Sequence, residues 1–128
     1  MKSNICPGAN DHICMKSVNA VRDTMYVLNG KWKFPIIIAL HFGPRRFNEL
    51  QKALEEITPK ILTKELKDME LNELVIRKVY PTTPVIITYE LSDYSKTLSP
   101  LLSEMREWGI NHKKYLNESR KKSLQQQA

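Results

Sequence analysis

Hydrophobic spacing in this chain switches from helical to alternating near residue 73, directly after two short helical segments. On the first of these, Leu50, Ala53 and Leu54 lie inward, Asn48 is the expected N-cap and Glu49 falls in the first turn. Thr58 caps the second, and Pro59 takes its first position, where the N–H has no partner to lose. Leu62, Leu66 and Met69 then keep i, i+4, i+7 spacing to about Asn72. From Val75 to Tyr80 and from Val85 to Leu91 the period is two and β-branched residues dominate, which predicts two strands. Pro81-Thr82-Thr83-Pro84 between them is too long for a two-residue hairpin turn and predicts an open loop. Two short helices a few residues apart, followed by a two-stranded ribbon, describe a winged helix-turn-helix.

The flanks add helices. Val18, Val21, Met25 and Leu28 share one helical face that ends at Asn29-Gly30, both tolerant of a left-handed backbone. Trp32 to Phe42 is almost wholly apolar and predicts a helix buried on most sides, with Pro35 in its first turn and Gly43-Pro44 closing it. Arg45-Arg46-Phe47 is long enough only for a brief strand. A last helix is expected from about Ser95, with Leu98, Leu101, Met105 and Trp108 on one face and Tyr115 beyond. The fold class is therefore α+β and mainly helical: a winged helix-turn-helix over 18–116 with added terminal helices, a flexible arm at 1–17 and a polar basic tail at 117–128 that ends in disorder from Ser123.

Composition excludes several classes. With 41% hydrophobic and 27% charged residues in 128, the chain has one domain's core and is not a disordered tail. The uncharged apolar run Phe34–Leu40 is far short of the roughly 18 residues a membrane span needs. Met1–Asn19 lacks the apolar stretch of a signal peptide, so a cytoplasmic protein without a membrane partner is expected. The net charge of +6 is concentrated: residues 112–128 hold five bases against one acid, leaving only +2 for the rest. Charge on individual elements is thus more informative than the total.

On a helical wheel with Leu62 at zero, Leu66 and Met69 fall within about 40°, whereas Lys60, Thr63, Lys64 and Lys67 fall between about 100° and 200°. Glu65, Asp68 and Glu70 are pushed to the flanks. A helix entering the major groove needs such an outer face: lysine reaches guanine acceptors or phosphate, and Thr63 offers a hydroxyl or a methyl. An ordinary solvated helix with Glu/Lys pairs has much the same composition. Arg45 and Arg46, just ahead of the first helix of the pair, can clamp a phosphate, helped by the amides beginning at Asn48. Arg77 and Lys78 on the first ribbon strand point to opposite faces, so at most one is aimed at a DNA backbone.

These residues together resemble a known family. Asn29-Gly30-Lys31-Trp32-Lys33 with Pro35-Ile36, Gly43 through Leu50, Ile57-Thr58-Pro59-Lys60, Leu62-Thr63, Leu66, Leu74-Val75, Arg77, Tyr80-Pro81, Tyr89, Leu91-Ser92 and Leu98 to Trp108 are similar to the signature of HxlR-type bacterial transcriptional regulators, in order across about 18–109. The resemblance implies a homodimeric winged helix whose first and last helices form much of the subunit interface, here Val21, Met25, Leu98, Leu101, Met105 and Trp108. It implies binding of double-stranded DNA at a pseudo-palindromic operator, usually as a repressor and sometimes as an activator; Asn48 and Thr58 complete the candidate DNA-binding residues. A winged helix used as a protein-interaction module, without DNA readout, is the alternative. Three positions depart from the family. Glu73 stands where glycine is common, so Asn72 is expected to take the left-handed role; Ser95 also replaces glycine, and Ile86 replaces a common basic residue of the wing.

Many members carry a cysteine just before the first helix that senses oxidants or electrophiles; Asn19 occupies that place here, and Cys14 and Cys6 lie further upstream. Either can be a displaced sensor, the two can bridge within or between subunits, or both can be inert thiols. Cys6, His12 and Cys14 do not have a usual zinc spacing, so no metal is expected, and no cofactor either. His41 and His112 are expected to be structural. The absence of a glycine-rich phosphate loop, a nucleophile–base pair and paired carboxylates argues against an enzyme. A regulator that also binds a small-molecule effector is a variant of the DNA-binding reading; the dimer helices near Trp32 or Trp108 are one candidate place for its pocket, which the sequence does not locate.

Overall fold

The computed structural model describes Ile5 and residues 14–126. The elements are α1 (Met15–Val27), α2 (Lys33–Ala39), β1 (Arg45–Arg46), α3 (Phe47–Ala53), α4 (Pro59–Leu71), β2 (Val75–Tyr80), β3 (Ile86–Leu91), a 3₁₀ turn (Tyr94–Leu98) and α5 (Ser99–Gln126). The order is that of a winged helix-turn-helix with a helix added at each end. The sheet is antiparallel in the order β1-β3-β2, with Val75 opposite Leu91, Tyr80 opposite Ile86, and Arg46 opposite Thr88. One core joins the layers. Ile36, Ile37 and Leu40 of the α2 region meet Leu50 and Ile57, the α4 stripe Leu62, Leu66 and Met69, and Leu74 and Val75 leading into the wing. Every one of these side chains is buried, and hydrophobic burial of this kind fixes α4 against the body of the domain.

Local chemistry sets the element ends, sometimes differently from expectation. The Thr58 hydroxyl accepts the Ile61 N–H at 3.2 Å, and Pro59 opens α4 as expected. α3 begins at Phe47, not after Asn48: its N-cap is Arg46, whose N–H donates to the Glu49 carboxylate at 3.0 Å. β1 stops at Arg46, so the chain turns into the helix at once and Asn48 becomes the second helical residue. α1 starts at Met15, three residues inside the expected arm, and Gly30 (φ 80°) alone takes the left-handed turn after it. α2 is shorter than the apolar run, and Ile38 and Phe42 stand exposed rather than buried. The last helix starts at Ser99, because Pro100 lacks the N–H that a helix continuous from Ser95 would need. Ser95 is instead buried in the 3₁₀ turn, its hydroxyl donating to the Ser92 carbonyl at 2.6 Å. α5 continues through Gln126, so the 117–126 stretch, Ser123 included, is helical.

The turn after α4 overturns the role given to Asn72. Asn72 keeps φ −89°, and Glu73 itself adopts the left-handed backbone at φ 60°. The Ser92 hydroxyl holds that turn by donating to the Glu73 carbonyl at 2.6 Å. A non-glycine residue there carries steric strain, so Glu73→Gly is expected to stabilise the fold by about 0.5–1 kcal/mol after the entropy that glycine adds to the unfolded chain. A urea melt showing a midpoint at or below wild type would contradict this.

Candidate nucleic-acid interface

Burial of Leu62, Leu66 and Met69 turns the opposite side of α4 to solvent, and Lys60, Thr63, Lys64 and Lys67 all lie there. The Thr63 hydroxyl donates to the Pro59 carbonyl at 2.8 Å, which leaves its lone pairs and methyl available to a partner. The acids do not share this face. Glu65 and Asp68 lie along one flank, where both meet Lys33, the first residue of α2. The Lys33 ammonium is 2.7 Å from Glu65 and 3.7 Å from Asp68, and donates to the Asn29 side-chain oxygen at 2.9 Å. Only 2% of the Lys33 side chain is exposed, so the bridge is made largely out of water. Residue-by-residue reading missed this group. Its one sequence signal is a lysine between Trp32 and Phe34 at the head of an apolar helix, where an unpaired charge would be very unfavourable.

The two arginines before α3 divide their work. Arg45 is partly buried and its Nε–H donates to the Ala39 carbonyl at 2.7 Å, closing the C-terminal end of α2. Arg46 is exposed, and its backbone N–H is already satisfied by Glu49. Asn48 is exposed beside it, whereas the Thr58 hydroxyl is engaged as a cap.

On the wing, Arg77 is exposed and lies across from Tyr89. Lys78 lies on the other face, with its ammonium 2.5 Å from Glu90 of β3. That hydrogen bond, reinforced by the charges of Glu90 and, more weakly, Tyr80, raises the Lys78 pKa against a small opposing effect of desolvation. Its stabilising effect is complete below the ordinary lysine pKa and is lost as pH rises through the raised value. The charge-dependent part of any stability difference between wild type and Lys78→Gln should therefore be constant through neutral pH and disappear in strong alkali. A difference that instead changed between pH 5 and 8 would show that another group titrates with it.

The terminal helices present apolar faces away from the core. Val21 and Met25 are exposed on α1. On α5, Leu101, Met105 and Trp108 continue through His112 to Tyr115 at alternating spacings of four and three, the repeat of a coiled-coil seam. Trp108 is 67% exposed and stacks on His112 with ring centroids 4.6 Å apart. Leu98 does not belong to this seam: it sits in the 3₁₀ turn and packs on the core.

Cys14 immediately precedes α1, with its Sγ 3.1 Å from the Ser17 hydroxyl; Cys6 and His12 lie outside the described residues. A groove of about 950 Å³ lies between the end of α2, β3 and the start of α5, lined by Ile38, Phe42, Leu91 and Leu102 and bordering neither Trp32 nor Trp108. Among the described residues, no helix is long and apolar enough to cross a membrane.

Comparison with known proteins agrees with this architecture. Residues 27–118 match the family described as HxlR-like helix-turn-helix. The chain is 38% identical over 93 residues to the HTH-type transcriptional regulator YtcD of Bacillus subtilis (strain 168), covering 73% of this chain and 74% of that one. The structure of the redox regulator HypR in its reduced form superposes with a TM-score of 0.72 at 33% identity, covering 77% of this chain and 98% of that one. The reduced form of the transcriptional regulator YodB from B. subtilis gives 0.63 at 35% identity, covering 76% and 91%.

Proposed function

Because this chain belongs to the HxlR-like helix-turn-helix family and is a winged-helix transcriptional regulator, we propose that it reads a pseudo-palindromic operator as a homodimer and acts as a repressor. The observation that carries the proposal is the α4 surface: Lys60, Thr63, Lys64 and Lys67 share an exposed face, and the neighbouring acids Glu65 and Asp68 are drawn to Lys33. Such a face offers cations to phosphates and donors to base edges. Arg46, Asn48 and Arg77 would contact the backbone around it. Arg45 and Thr58 would support these contacts from their structural bonds, and Lys78, neutralised by Glu90, would add little.

Two-fold symmetry would come from the apolar faces of α1 and α5, placing the two reading helices about one DNA turn, roughly 34 Å, apart. Trp108 is the anchor of that seam. Trp108→Glu is expected to weaken self-association by about thirtyfold or more and give a monomer at low micromolar concentration. Sedimentation of an unchanged dimer would remove α5 from the interface.

We propose further that oxidants or electrophiles release the regulator from the operator, a reading supported by Cys14 at the start of α1 and by the similarity to a redox regulator. Titrating the protein against the intergenic DNA upstream of its own gene, by fluorescence anisotropy with and without diamide, tests both parts. Tight, salt-dependent binding that collapses on oxidation and returns with thiol is the expected result. Binding indifferent to oxidation would leave DNA reading and remove the redox role. Weak, salt-insensitive binding to all duplexes would favour a protein-interaction module instead.

A further inference from the structure

Burial of Leu62, Leu66 and Met69 decides which side of α4 faces the core, but apolar contacts, being non-directional, define the last degrees of its rotation less sharply than a hydrogen bond does. A rotation of about 20° shifts groups on a helix surface by about 2 Å, more than a hydrogen bond to a base edge tolerates. Apart from the hydrogen bonds that cap its two ends, the directional contacts on α4 among the described residues come from Lys33. Its buried ammonium grips Glu65 and Asp68, one turn apart on a single flank, while Asn29 ties the same ammonium to the turn between α1 and α2. We infer that Lys33 is a positioning residue for DNA reading: it fixes the rotation of α4, holds the two acids away from the lysine face, and links the end of α1 to the reading helix through one hydrogen-bonded ion cluster. This rests on the DNA-reading proposal. It adds a route by which a change in the pose of α1 reaches the reading helix through Asn29 and Lys33 without passing through the apolar core.

The test uses duplexes of roughly 30 base pairs, about three turns, selected by wild-type protein from a random-sequence pool, with scrambled duplexes as reference. The double variant Lys33→Met, Glu65→Leu replaces the buried pair by apolar side chains of similar volume. It should stay folded and bind scrambled DNA with an unchanged salt slope, yet lose about tenfold in preference for the selected sequence, because mispositioned donors lose base discrimination while phosphate contacts survive. A folded double variant with wild-type preference would overturn the inference. Should that variant fail to fold, Asp68→Asn decides, since Asp68 is 43% exposed and only 3.7 Å from Lys33. A loss of about threefold in preference supports positioning, whereas tighter binding to all duplexes alike would mean that Asp68 acts by charge alone and would overturn it. A wild-type protein that enriches no sequence from the pool would defeat the DNA-reading proposal itself, and the inference with it.

Discussion

Changing Lys60, Lys64 and Lys67 together to glutamine is expected to weaken binding to every duplex, selected or scrambled, on the order of a thousandfold per protomer. Each of the three is exposed on one face of α4, with the nearest acids turned toward Lys33. A charge-assisted hydrogen bond contributes about 1.5 kcal/mol at the low end, and three such losses amount to about three powers of ten. The accompanying signature is specific to counterion release: the slope of log affinity against log salt should become shallower by about three per protomer. Thermal stability should barely move, since none of the three makes an ion pair within the domain among the described residues. Lys78→Gln is the internal control, with a small effect on the slope because Glu90 already neutralises that charge. If the triple variant kept the wild-type slope, α4 would not be the element that meets DNA.

What could be read from sequence was whatever depends on near neighbours. Thr58-Pro59 starts α4 because a cap and a proline act within one turn, and the period of Leu62, Leu66 and Met69 places the lysines outward without knowledge of the rest of the chain. The switch to period two located the wing for the same reason. The features that escaped depend on distant partners. Lys33 and Glu65 are 32 positions apart, and a wheel that sorts the charges of one helix has no means of assigning a flank carboxylate to a lysine on another. The N-cap at Arg46 follows from where β1 stops pairing with β3, and the left-handed Glu73 is held by Ser92 from beyond the wing. Leu98 matched the α5 seam by spacing, but Pro100 ends that helix one residue short of it. The basic end of the chain has a polar composition that also fits disorder, and only the structure distinguishes an exposed helix from a frayed tail.

The same ion cluster governs the second large effect, on stability rather than binding. Lys33→Met alone should cost about 3–5 kcal/mol, because it leaves Glu65, only 12% exposed, without its cation in a site already withdrawn from water. Asp68 would lose a longer, weaker interaction and is itself better solvated, so most of the penalty belongs to Glu65. Adding Glu65→Leu should recover most of the loss, since a well-packed apolar pair of similar volume often matches a buried ion pair in stability. The single and double variants therefore form a cycle with strong coupling, read from urea midpoints at constant slope. Near-additive single effects would show that water reaches the pair and that Lys33 contributes little more than its methylenes. Strong coupling with full recovery would carry a different meaning: the charge in this cluster is not needed for the fold, which is the outcome expected if its role is to fix the rotation of α4 rather than to hold the domain together.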